Sequence, residues 1–176
     1  MTRYYKGKYR TESTRLSGWD YRSAAHYFIT ICTKGHRYCL ARILDGVAYV
    51  SPLGLIVAEE WWRTPYIRSY VALDAYQVMP NHFHGILVIT ESHNESELQG
   101  PSPESRLMAS SVGSIVGQFK SICTKRIRDL GQSDFGWHPR YYDHIIRSEA
   151  ELEQVRAYIV GNPGKWHEDR YFHKEA

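Results

Sequence analysis

The stretch Val78-Met-Pro-Asn-His-Phe-His-Gly-Ile-Leu-Val-Ile-Thr90 restricts the fold more than any other part of the chain. Gly85 to Ile89 is mostly β-branched and apolar with no charged side chain, the composition of a buried strand. His82 and His84 stand at its entrance. Successive side chains on a strand point to opposite faces, so both imidazoles project to one side and Phe83 to the other. Two neutral nitrogen donors on one rigid element are half of a metal site. The plainer reading is two histidines that end a strand. Pro80 and Asn81 make the turn that begins it, and Tyr70 to Val78 reads as a preceding strand. Strands joined so tightly pair antiparallel, which puts the histidines near one end of the middle of a sheet, on its surface and outside the core.

The remaining elements follow from local pattern. His26-Tyr-Phe-Ile-Thr-Ile-Cys-Thr33 is a strand by β-propensity. Arg42 to Leu44 and Val47 to Val50 flank Asp45-Gly46, a tight hairpin signal. Ser51 caps a helix with Pro52 at its first position, apolar residues Leu53, Ile56, Val57 and Trp61, and Pro65 as the stop. Residues 91–107 turn to Ser, Glu, Gly and Pro, a surface loop expected to be flexible. A second amphipathic helix runs from Ser111 to Leu130, with Val112, Ile115, Val116, Phe119, Ile122, Cys123 and Ile127 on one face. Trp137 to Arg147 is aromatic and basic and shows no single period. Ser148 with Glu151 forms a capping box for a last helix, whose stripe is Leu152, Val155 and Ile159. Tyr158 borders that stripe and Asn162 follows one turn later, at an end that Pro163 should fray. On spacing alone, such a tyrosine is a half-buried packing residue. The order of elements predicts an α+β fold: a ferredoxin-like antiparallel sheet with helices on one face and an extra β-hairpin.

At 176 residues the chain fits a single domain, 1–176. No apolar run reaches the length of a membrane span, and Met1 to Arg10 has no apolar core of the secretory type, so no membrane partner is expected and the cytoplasm is the default. Cys32, Cys39 and Cys123 lack metal-type spacing and fit buried thiols. The net charge of +3 is too small to indicate nucleic acid by itself. Its placement says more. Arg3, Lys6, Lys8 and Arg10 interleave with Tyr4 and Tyr5 in a basic, aromatic arm over residues 1–20, where cations can meet phosphates and rings can stack on unpaired bases. A solvated tail is the competing reading. The polar side of the second helix carries Lys120, Lys125 and Arg128, a further candidate DNA contact.

Four motifs in order, Met79-Pro-Asn-His-Phe-His84, Gly117-Gln-Phe-Lys120, Tyr141-Tyr-Asp-His-Ile-Ile-Arg147 and Tyr158-Ile-Val-Gly-Asn-Pro163, resemble the series of the REP-associated tyrosine transposases. These form a single-tyrosine branch of the HUH (His-hydrophobic-His) nucleases, and the likeness runs from about Tyr21 to Trp166. It implies that His82 and His84 bind a divalent metal, that Tyr158 is the nucleophile and that Asn162 is the third ligand. It also implies cleavage and rejoining of single-stranded DNA near hairpins through a 5′-phosphotyrosine intermediate, by a monomer or homodimer. Related branches place the tyrosine on a helix like that from Ser111 to Leu130, which has none here, so Tyr141 and Tyr142 stand in reserve. Mixed nitrogen and oxygen ligation suits Mg2+ or Mn2+. Two imidazoles and an amide would leave the ion its full double charge. The alternative function is a domesticated single-stranded nucleic-acid-binding protein that no longer cuts.

Overall fold

The structure is a computed structural model that describes residues 4–5, 9–10, 16–90 and 110–172. Its centre is a four-stranded antiparallel sheet built from β3 (Ala25–Cys32), β6 (Val71–Val78), β7 (His82–Ile89) and β8 (Tyr142–Ile146), in the spatial order β6-β7-β3-β8. Helices α1 (Pro52–Ile67) and α2 (Val112–Asp129) connect β3 to β6 and β7 to β8, and α3 (Glu149–Gly161) follows β8. That alternation and strand order are ferredoxin-like, as the element pattern implies. The hairpin β4 (Ala41–Leu44) and β5 (Val47–Val50) is inserted before α1. Asp45 (φ 49°) and Gly46 (φ 75°) both take the left-handed geometry that a two-residue turn of matching twist requires.

Alternation along the strands divides the sheet into two unlike faces. Tyr27, Ile29, Ile31, Phe83, Leu87 and Ile89 point to one side, where α1 brings Ile56, Val57 and Trp61 and α2 brings Ile115, Val116 and Phe119. Phe28, Ile86 and Ile146 point to the other, where they meet Leu152 and Ile159 of α3. The sequence places all the helices on one face. The structure keeps α1 and α2 there and gives α3 the opposite face, because Leu152 and Ile159 need an apolar partner and the even-numbered residues of β3 and β7 supply it. Gly85 fits the first face: a Cβ there would lie 2.6 Å from Cζ2 of Trp61.

Local differences from the sequence expectations have local causes. Pro65 does not stop α1, which runs on to Ile67. In the last turn the missing N–H costs one bond, and the Arg68 N–H closes the end on the Thr64 carbonyl. Asn162 is helical (φ −58°, ψ −41°) despite preceding Pro163, and the chain continues as a 3-10 segment, Asn162–Glu168. The aromatic, basic stretch contains β8, an edge strand. Its alternation is masked by Asp143, which is buried although its neighbours Ile145 and Ile146 are apolar. The arm carries a short antiparallel pair, β1 (Tyr4–Tyr5) with β2 (Tyr9–Arg10), and its last residues join the domain. Trp19 donates from Nε1 to the Tyr27 hydroxyl at 3.1 Å. Arg3, Lys6 and Lys8 and the whole 91–107 loop lie outside the described residues.

Candidate active site and metal centre

His82 and His84 lie on the α3 side of β7, and their burial is complete, at 0% and 1% exposure. The expectation of a site on an open sheet surface is therefore corrected: α3 and the segment after it roof the histidines over. Register carries the site across the sheet. Gln77, His84, Thr30 and Tyr142 form one cross-strand row, and Cys32 pairs with His82 in the next. Paired residues on neighbouring strands share a face, so all of these approach the same space.

Hydrogen bonds fix the two rings. Asn81 donates from Nδ2 to the Tyr171 carbonyl at 2.7 Å, which leaves its Oδ1 facing His82 Nδ1 at 2.8 Å. His82 thus carries its proton on Nδ1 and turns a bare Nε2 inward. His84 Nδ1 lies 2.8 Å from the Thr30 hydroxyl, and the two Nε2 atoms are 2.9 Å apart. Without a cation, one proton must bridge that gap. With His84 protonated on Nδ1 toward Thr30, two lone pairs converge on one point, as a metal ion requires. Burial lowers both pKa values, for His82 to about 3 with Arg170 and His36 adding to the effect. His84 is held well below the usual histidine value by burial and then by His82. Both rings are neutral near pH 7, the ligating form.

A carboxylate completes the group. Asp169 Oδ2 is 4.0 Å from His82 Nε2, and donors of His82, His84 and Asp169 lie within 4.8 Å of one another. Asp169 accepts from the Tyr171 N–H at 2.7 Å and from Asn162 Nδ2 at 3.0 Å. Asn162, the ligand implied by the resemblance, is buried beside it, and its Oδ1 has no hydrogen-bond partner. An orphaned buried oxygen next to an oriented carboxylate and two converging imidazoles fits a hard divalent cation. The His82, His84 and Asp169 group could hold a metal ion. Asp169 brings a negative charge that the neutral ligand set did not include.

Tyr158 stands over this group. Its hydroxyl is 3.5 Å from His84 Nε2, and its ring meets Phe28 and His84 edge to face at centroid distances of 5.9 and 5.4 Å. Burial raises its pKa, and Asp169 raises it further, against lowering by Arg170 and Asn162. The phenol is thus poised in position but not ionised. Tyr141 and Tyr142 do not stand on α3; they line a neighbouring cleft of about 490 Å³, together with Thr30, Cys32, Arg170 and Tyr171.

Tyr4, Tyr5 and Arg10 lie in the β1–β2 pair. Lys120 donates to the carbonyls of His138 (2.8 Å) and Pro139 (3.2 Å), tying α2 to the edge of the cleft. Lys125 is exposed and 3.6 Å from Asp129, and Arg128 donates to the Phe135 carbonyl at 3.0 Å. Both stand on α2, across the sheet from the site. The residues that reasoning from sequence missed are Asp169, Thr30, Tyr171 and Arg170. Only Arg170 had a visible signal, as a cation among the aromatic residues Trp166, Tyr171 and Phe172.

No protein-family model matches the chain. An uncharacterized protein of Haemophilus influenzae is 32% identical over 97% of this chain and 98% of its own length, and the two belong to one family. The structure of a REP-associated tyrosine transposase bound to a REP hairpin superposes with a TM-score of 0.61, at 18% identity over 89% of this chain and 74% of that one. This chain has the fold of a REP-associated tyrosine transposase. A Deinococcus radiodurans protein provisionally named a transposase overlaps at 0.44, with 21% identity over 84% and 95% of the two chains, too loosely to bear on the fold. Among the described residues, no helix is long and apolar enough to cross a membrane.

Proposed function

We propose that this protein is a metal-dependent tyrosine DNA endonuclease and strand transferase that cleaves and rejoins single-stranded DNA near hairpins. The observation that carries the reading is the Tyr158 hydroxyl poised 3.5 Å from a histidine pair whose Nε2 atoms converge beside a buried carboxylate. His82, His84 and Asp169 would hold Mg2+ or Mn2+, with Asn162 as a further oxygen donor or as the residue that orients Asp169. When bound, the ion offsets negative charge on the scissile phosphate and on the attacking oxygen. Tyr158 Oη attacks the phosphorus and the bond to the 3′-oxygen breaks. The phenolic proton is balanced by the proton gained by the leaving 3′-hydroxyl. The product is a 5′-phosphotyrosine that conserves the bond for rejoining. The hairpin partner is suggested by the REP hairpin in the transposase of the same fold. The arm residues Arg3, Tyr4, Tyr5, Lys6, Lys8 and Arg10, with Lys125 and Arg128, serve as DNA contacts in this reading, and the site of action is the cytoplasm.

Purified protein incubated with labelled hairpin oligonucleotides and manganese, then run on a denaturing gel, tests this directly. A covalent protein–DNA band that disappears with EDTA and in His82→Ala is expected. Tight hairpin binding with no cut strand would instead identify a domesticated binding protein. Asp169→Asn and Asn162→Ala, titrated with Mn2+, separate the two oxygen donors: loss of a residue that only orients a ligand raises the metal requirement of cleavage about 10- to 100-fold, and loss of the ligand itself raises it more.

A further inference from the structure

The cleft beside the site holds an unusual stack. The guanidinium of Arg170 lies over the ring of Tyr171, 4.6 Å from its centroid, and over the ring of Tyr142 at 5.3 Å. Tyr171 also stacks with His36 at 5.8 Å and 21°. The cleft, about 490 Å³, is of the size that takes small organic ligands. It also shares its walls with the candidate active site. Thr30 lines it and bonds His84, while Tyr171 lines it and supports Asp169 through its N–H and Asn81 through its carbonyl. Tyr142 pairs with Thr30 across the sheet and meets Phe28 edge to face, and Phe28 in turn touches Tyr158.

A planar cation that lies over two tyrosine rings marks a place that a planar base can take, because each ring offers a face to any flat π system. We propose that the slot between Tyr142 and Tyr171 receives one unstacked base of the single strand, that of the nucleotide next to the scissile phosphate, and that Arg170 turns from the slot to that nucleotide's phosphate. The inference rests on the proposed DNA cleavage and specifies its substrate: the strand must present at least one unpaired base beside the cut. Stacking reads no base edge, so the slot tolerates all four bases. Its role is to fix the phosphate over the histidine pair.

The test uses the full chain as Tyr158→Phe, which cannot cleave, with hairpin oligonucleotides carrying 2-aminopurine at each flanking position in turn. One position adjacent to the cut should be strongly quenched, and Tyr142→Ala should remove that quenching and weaken binding roughly tenfold. Tyr142→Trp should restore both. An abasic nucleotide at that position should weaken binding by a similar factor in the Tyr142 protein and cause no further loss in Tyr142→Ala. Uniform quenching, or losses from the abasic site and Tyr142→Ala that simply multiply, overturns the slot. Failure of the slot and failure of cleavage are separable. A normal covalent band from otherwise wild-type Tyr142→Ala, with a flat 2-aminopurine scan, rejects the slot and leaves the nuclease. Quenching at one position without any covalent band from wild-type protein keeps the slot and rejects the nuclease.

Discussion

On the α1/α2 side, the sheet presents Tyr27, Ile29, Ile31, Phe83 and Leu87 to a continuous apolar layer, whereas on the α3 side it presents Phe28, Ile86 and Ile146, with Ala75 and Val88 partly buried beside them, before giving way to Thr30, His82 and His84. The first face has the contacts that make a domain stable. The second buries polar groups at a cost, and offsets it through a hydrogen-bonded set that fixes imidazole orientation. Helix α3 is correspondingly held by less apolar contact and more charge: Arg156 makes a bidentate pair with Asp74, with its closest contact at 2.6 Å, next to the bulge in β6. The contrast teaches that stability and chemistry are separated by the pleat of one strand, Phe83 facing the core and its two neighbours facing the site.

The largest expected effect is in acid. His82 and His84 are neutral when folded and accept protons once unfolded. Their unfolded pKa is near 6.5, and His82 falls to about 3 in the fold, so stability is complete above pH 6.5 and is lost as pH falls from there toward 3. His82 alone contributes up to roughly 5 kcal/mol of that loss. Urea unfolding in EDTA at steps from pH 7 to pH 4 should show it, and a His82→Asn/His84→Asn variant should show a flatter dependence. Equal slopes would mean that the second face is not dry. Next, Trp61→Ala on the first face should cost about 3 to 5 kcal/mol of unfolding free energy while the folded fraction keeps its metal requirement. Gly85→Ala should cost about 1 to 3 kcal/mol through contact with the same indole, an overpacking effect on a residue that flanks the site from behind.

Much of this was legible in the sequence because strands and helices advertise their period. The His-x-His alternation, the Asp-Gly hairpin and the Ser51 and Ser148 caps are all found, each cap accepting from the backbone N–H three residues on. The continuous apolar run after His84 also carried the sign that β7 is covered on both faces, though not which helix covers the second. What stayed hidden depends on chain reversal. Asp169 follows the 3-10 segment, where no period operates, and within Glu168-Asp169-Arg170 it reads as a solvated charge. Only the fold brings it to the histidines. The strand β8 was masked by Asp143, and nothing local reveals the two carbonyls that Lys120 bonds.

A smaller effect sharpens the comparison further. Asp74→Asn or Arg156→Gln should cost only about 1 kcal/mol of stability, as partly exposed ion pairs do. Each should slow adduct formation more than it weakens DNA binding, since the pair anchors the helix that carries Tyr158. The charge-swapped pair Asp74→Arg/Arg156→Asp should recover part of the rate. Equal losses in binding and rate would reduce the clamp to a general support of the fold.

The most direct test is the chemical identity of the nucleophile among fourteen tyrosines. The covalent product formed with a labelled hairpin and manganese is digested with trypsin, and the peptides are mapped by mass. The nucleotide should be carried by the peptide from Ala157 to Lys165, which contains Tyr158, and Tyr158→Phe should bind the hairpin as before yet yield no adduct. A nucleotide on a peptide containing Tyr141 or Tyr142, or an adduct that persists in the phenylalanine variant, would contradict the account.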